Sequence, residues 1–328
     1  MNTRAFGKTH LLVTPIGLGL AALGRPGYIN LGHAQDLGED YDVAAMENHS
    51  HQVLDAAWAA GIRYFDAARS YGRAEAFLGS WLTSRQIPKE QVTVGSKWGY
   101  TYTAGWQIEA DAHEIKEHSL PVLQRQIGES RERLGAYLDL YQIHSATLDS
   151  GVLSNQAVLA ELAQLKRGGL KIGLSLSGSN QEDTLKRALD VQTEEGALLF
   201  DSVQATWNLL EQSAGDALRQ AHEAGLGVIV KEALANGRLT PRNPDPHLHI
   251  LRHIAAEKET TMDALALAAV LAQPWASVVL SGAAAVEHVA SNVTAVTVDF
   301  DPETAVRLQP LRESPETYWR TRSQLAWN

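Results

Sequence analysis

Short apolar runs take turns with longer stretches whose apolar residues recur at helical spacing, from Ile16 almost to the end of the chain. The runs Pro15–Leu20, Ile62–Asp66, Val92–Lys97, Leu138–His144, Lys171–Leu176, Ser202–Ala205, Gly227–Lys231 and Ser277–Ser281 predict strands apolar enough to be buried on both faces. Between them, Val53, Ala56, Ala57 and Ala60 make one helical stripe that ends at Gly61, a natural C-cap. Phe77, Leu78, Trp81 and Leu82 make a second within Ala74–Ser84, and Leu120, Leu123, Ile127 and Leu134 a third. Further helices are expected near Asn155–Lys166, Gln181–Thr193 and Ala214–Ala224, between His247 and Gln273, and over Val286–Val293. Strands and helices in this alternation predict a parallel (β/α)₈ TIM barrel. Around Gly7-Lys8 the chain reads as a short N-terminal β-hairpin, residues 24–41 as a loop, Trp98–Glu117 as a long polar interval, and Asp301–Asn328 as a C-terminal tail over the barrel. By length the chain could hold two domains, but no linker interrupts the pattern, and residues 1–328 are expected to form one barrel domain.

Composition narrows the partners. A hydrophobic content of 45% supplies ample core. A formal net charge of −10 disfavours nucleic acid and anionic membranes, which most of the surface would repel. Having no cysteine, the chain has no disulfide, thiolate nucleophile or Cys-ligated metal. No signal-type stretch follows Met1–His10 and no run is long enough to span a bilayer, so a cytoplasmic protein is expected.

In a parallel barrel, sites form at the carboxyl ends of the strands. Four titratable groups fall there in succession: Asp66 and Tyr71 after the second strand, Lys97 closing the third and His144 closing the fourth. A phenol is a poor acid near neutrality, with a reference pKa of about 10. An adjacent ammonium stabilises its anion, and a carboxylate holds that ammonium in place. An imidazole shares the phenol's proton or orients a carbonyl oxygen. Together these groups suit the proton side of a carbonyl reduction or an alcohol oxidation.

With Phe65-Asp66, Tyr71-Gly72, Ser96-Lys97 and Gln142-Ile143-His144 in this order, the chain resembles an aldo-keto reductase from Gly17-Leu18-Gly19 to about Asn292. The resemblance implies an oxidoreductase that moves a hydride between a nicotinamide cofactor and an aldehyde, ketone or sugar-type alcohol. It implies Tyr71 as general acid or base, Lys97 lowering its pKa, Asp66 anchoring Lys97, and His144 orienting the carbonyl. It implies further that Ser175 and Gln204 hold the carboxamide and that Trp207 stacks on the nicotinamide. Ser281, Gly282, Ala283, His288 and Asn292 then take the adenosine end. Leu176 stands where the family usually has an asparagine. Residues 283–285 are all alanine, with His288 in place of the usual arginine, so the cofactor implied is NADP or NAD.

Other readings compete at particular residues. Lys231-Glu232 either lines the cofactor groove or forms an internal ion pair. Trp98, Tyr100, Tyr102 and Trp106 are pocket wall or loop anchors, and Trp319 and Trp327 pocket lid or exterior packing. Gly17-Leu18-Gly19 followed by Gly24 is no dinucleotide fingerprint, because Pro26-Gly27 stops the helix that should follow. His249 and His253 stand at helical i, i+4 spacing, but no Glu lies between them in the zinc-protease manner, so with His247 they suit a solvated helix face and no metal is expected. Two other classes fit the scaffold: a nicotinamide-binding regulatory subunit with little turnover, and a metal-dependent hydrolase. The sequence leaves the substrate and the oligomeric state open.

Overall fold

Each apolar run is too short to bury itself, and pairing in parallel with helices laid outside covers both of its faces. In the computed structural model, which describes all 328 residues, eight such strands close into a barrel. We number them β1 (Ile16–Gly19), β2 (Tyr64–Asp66), β3 (Thr93–Trp98), β4 (Leu138–Ala146), β5 (Lys171–Leu176), β6 (Ser202–Thr206), β7 (Gly227–Lys231) and β8 (Val278–Ser281). Pairing of Val279 with Ile16 and of Ser281 with Leu18 closes the ring between β8 and β1. Between β4 and β5 the register slips from Ile143 to Ala146, and Ser145 takes a positive φ of 50°. His144 sits inside that irregularity, the kind of local bend that re-aims a side chain at a barrel rim.

Helix Val43–Ala59 begins at Asp42, whose carboxylate accepts from the Ala44 and Ala45 amides, and is followed by Gly61 at φ 88°. Helices Ala74–Ser84 and Leu120–Leu134 press Leu78, Trp81, Leu123 and Ile127 into the layer between helices and strands. Inside the barrel floor a smaller cluster forms from Phe6, Val13, Tyr64, Leu140, Ile229 and Val278. Phe6 comes from the N-terminal hairpin, Arg4–Ala5 paired with Leu12–Val13, which plugs the bottom and leaves only the top for a ligand.

The expected elements are present, with four additions. The polar interval after β3 holds a second hairpin, Tyr100–Tyr102 against Glu114–Lys116. The loop after β1 contains a short helix, His33–Asp36, and the region between His247 and Gln273 divides into His249–Glu257 and Met262–Leu271. In the tail, helices Pro302–Leu308 and Pro315–Ser323 lead to residues that cross the barrel mouth. Asn328 exchanges backbone hydrogen bonds with Tyr28 at 3.1 Å in both directions, and its side chain bonds the His33 amide at 2.9 Å and the Asn30 carbonyl at 3.0 Å.

Candidate active site

Asp66 and Lys97 end adjacent strands and meet inside the barrel top, their side chains 2% and 0% exposed. The Lys97 ammonium donates to Asp66 and, at 2.8 Å, to the Ala67 carbonyl. Asp66 also accepts from Tyr64 Oη at 3.2 Å, Gln142 Nε2 at 3.2 Å and Gln204 Nε2 at 3.0 Å. A buried carboxylate needs such a full set of donors to stay ionised. The Tyr71 ring centre lies 4.9 Å from Lys97 Nζ and 5.4 Å from the His144 ring, which it meets edge to face. The sequence-predicted groups Asp66, Tyr71, Lys97 and His144 are thus together, and Asp66, Tyr71 and His144 line one cavity of about 620 Å³.

Burial sets the charge states. It pushes the Tyr71 phenol well above its ordinary value, Asp66 pushes the same way, and the opposing cation is Arg25. The phenol is therefore a protonated donor at neutral pH, with the Lys97 ammonium 4.9 Å from its ring centre. Burial, then Lys97, Lys231 and Arg25, hold the His144 imidazole well below its usual value and therefore neutral. Its Nδ1 faces Ser70 Oγ at 3.4 Å, while His118 Nε2 donates to the His144 carbonyl at 2.8 Å. Toward solvent, burial lowers Lys231 to about 8, against the pull of Glu232. Burial alone would raise Glu232, but Arg322 and Lys231 more than offset it and bring the carboxyl down to about 2.

The cavity runs from these groups to Ser281, Gly282, Ala283, His288 and Asn292. Asn292 Nδ2 donates to Ser281 Oγ at 2.8 Å, and helix Val286–Val293 starts without a side-chain cap, leaving first-turn amides free for an anion. Gln204 and Lys231 line the cavity, and Lys231 also bonds Thr206 Oγ1 at 2.8 Å and lies 3.6 Å from Glu232, so groove and ion pair are both its role. Ser175, fully buried beside them, accepts from the Ser145 amide at 2.8 Å. Trp207 lies apart from the cavity wall, its ring edge to face with Trp275. A lining that joins the polar strand-end groups to an anion-ready helix start fits a dinucleotide.

Sequence similarity decides among barrel proteins. The sequence profile of the Aldo/keto reductase family matches residues 15–313. The chain belongs to that family. Curated relatives include an aldo-keto reductase of Strobilurus tenacellus, 26% identical over 96% of this chain and 93% of that protein. Pyridoxal 4-dehydrogenase of Microbacterium luteolum is 28% identical over 72% of this chain and 71% of that protein. Among solved structures, the holo form of an aldo-keto reductase from Bacillus halodurans superposes with a TM-score of 0.72 at 23% identity, covering 96% of this chain and 97% of that one. This aldo-keto reductase is accordingly an NAD(P)-dependent oxidoreductase acting on small carbonyl compounds or alcohols. None of its helices is long and apolar enough to cross a membrane.

Several site residues carry no periodic signal and were missed in the sequence. Arg25 and Tyr28 from the loop after β1, Glu114 from the second hairpin, Arg242 from the loop after β7, and Arg322 from the tail all line the cavity. Trp327 stacks flat on His113 with ring centres 3.8 Å apart. Trp327 is therefore part of the lid, while Trp319 packs on Tyr318 outside the cavity. Trp98, Tyr100, Tyr102 and Trp106 act as anchors: Trp98 is wholly buried, Tyr100 backs His144, and Trp106 Nε1 bonds the Tyr41 carbonyl at 2.7 Å. His247, His249 and His253 are exposed, and His253 pairs with Glu257 at 3.0 Å.

Proposed function

We propose that Tyr71 moves the proton in this oxidoreductase, giving it to the carbonyl oxygen during reduction and taking it back during oxidation. The convergence of Asp66, Tyr71 and His144 on one cavity, with Lys97 buried against Asp66, carries this reading. The bound nicotinamide supplies or accepts the hydride. Neutral His144 orients the carbonyl oxygen toward the phenol, Lys97 steadies the phenolate, and Asp66 holds Lys97. On this reading Gln204, with Ser175 buried off the cavity wall beside it, binds the carboxamide, and Ser281, Gly282, Ala283, His288 and Asn292 bind the adenosine end; Lys231 borders the groove. Trp207, off the wall and edge to face with Trp275, keeps the stacking role that the resemblance implies.

Charge at the adenosine end supports a preference for NAD over NADP. Its one guanidinium, Arg242, is already bound by Asp36, with His288 3.7 Å from the same carboxylate. Asp263 and Glu287 add two more negative groups to the wall. A 2′-phosphate would have to displace Asp36 from Arg242, whereas a 2′-hydroxyl would not.

The test of the catalytic assignment is Tyr71→Phe, assayed with simple aldehydes and each nicotinamide. The rate should fall by about 10² to 10⁴, the usual worth of a general acid, with cofactor quenching of tryptophan fluorescence retained. Near wild-type reduction by this variant would refute the assignment.

A further inference from the structure

Arg25 is unusual for a guanidinium, being 98% hidden beside a catalytic phenol without being part of the Asp66–Lys97 pair (2% exposed). Its Nη1 donates to the Ser70 carbonyl at 3.1 Å, one residue before Tyr71, and to Glu114 at 3.0 Å. Its guanidinium carbon stands 5.3 Å from the Tyr71 ring centre, 5.1 Å from Tyr28 and 4.8 Å from Trp327. Two cations therefore face one phenol, and their counterions differ. Lys97 is matched by a carboxylate as deeply buried as itself. The partner of Arg25 is Glu114, on the second hairpin and 25% exposed, where solvent screens it. More of the Arg25 charge is left to act on the ring.

We propose that Arg25 is a positioning residue for Tyr71, fixing the phenol's loop through the Ser70 carbonyl and holding positive charge against the ring, with Glu114 setting how much of that charge the phenol feels. The inference rests on Tyr71 being the proton carrier. The remaining charged and titratable groups around the phenol are Asp66, Lys97 and neutral His144 from β2, β3 and β4, Tyr28 from the loop after β1, and Glu232 after β7. Glu232 is held by Arg322 and Lys231, so it stays in place when Arg25 changes. Arg25 favours the phenolate, while Glu114 disfavours it.

A purely structural pin and an electrostatic partner differ in sign. The experiment is the pH dependence of kcat/KM for 4-nitrobenzaldehyde reduction, measured on the full chain as wild type, Arg25→Met, Arg25→Lys and Glu114→Gln. Loss of the cation should move the alkaline limb up by about half to one pH unit, and loss of the Glu114 charge should move it down by a similar amount. Arg25→Lys should return the limb toward wild type while keeping a reduced kcat, because an ammonium on a shorter, flexible stem lacks the planar guanidinium that fills the space among the Tyr71, Tyr28 and Trp327 rings. Limbs shifted in the same direction by Arg25→Met and Glu114→Gln, or unmoved in both, overturn the proposal. Should Arg25→Met fail to fold, Glu114→Gln decides alone, since a limb that does not move down refutes it. An active Tyr71→Phe variant would instead overturn the underlying assignment, which separates the two failures.

Discussion

The Asp66–Lys97 pair is not symmetric, and the asymmetry is measurable as stability. Asp66 accepts from four donors, three of them neutral, whereas Lys97 has only Asp66 and the Ala67 carbonyl. Asp66→Asn leaves a wholly buried ammonium among neutral acceptors, a loss of about 3–5 kcal/mol. Lys97→Met leaves a carboxylate still bonded to Tyr64, Gln142 and Gln204, and should cost about 1–2 kcal/mol. With an unfolding entropy of about 2.1 cal/mol/K per residue, a chain of 328 residues loses roughly 1.5 °C in Tm per kcal/mol. Asp66→Asn should then melt about 4–7 °C below wild type and Lys97→Met about 1–3 °C below, although both abolish turnover. Calorimetry on the two variants and their double mutant measures this, with the double expected to melt above Asp66→Asn. Should Lys97→Met melt as low as Asp66→Asn, the donor set around Asp66 would not be what stabilises the pair.

Three other outcomes are expected. Asp36→Asn frees Arg242 and should improve kcat/KM for NADPH relative to NADH by about tenfold, one charge-assisted hydrogen bond's worth, whereas an unchanged cofactor ratio would count against the charge argument. Gly24→Ala would place its Cβ 2.2 Å from the Tyr71 carbonyl and 2.5 Å from Ala74 Cβ, so it should cost about 1–3 kcal/mol and, by displacing Tyr71, at least about tenfold in kcat. Glu232, at about 2 in the folded chain against an ordinary 4.5, contributes stability that is fully present above pH 4.5 and lost as pH falls toward 2. Urea titrations of Arg322→Met across this window should show a flatter acid-side decline than wild type.

The barrel was legible because each strand is a compact apolar run bounded by turn residues, and each helix a stripe of fixed period. The meeting of Asp66, Lys97 and His144 was legible for the same reason, since they are the polar residues at the ends of such runs. The second hairpin was not, because Tyr100–Tyr102 and Glu114–Lys116 are too short to show alternation across a polar loop. Arg25 and Arg242 lie in segments whose conformation is fixed by distant partners: Ser70 and Glu114 for the first, Asp36 for the second.

The contacts of Asp66 also bear on how the chain assembles. Its partners stand 31, 76 and 138 residues away in sequence, on three other strands, the farthest on β6. A chain that has organised only its first half still presents the carboxylate without Gln204, and such long-range contacts are the slowest to form. Catalytic competence therefore matures with ring closure, which makes recovery of turnover during refolding a clock for the last stage of assembly, distinct from the earlier return of helical signal.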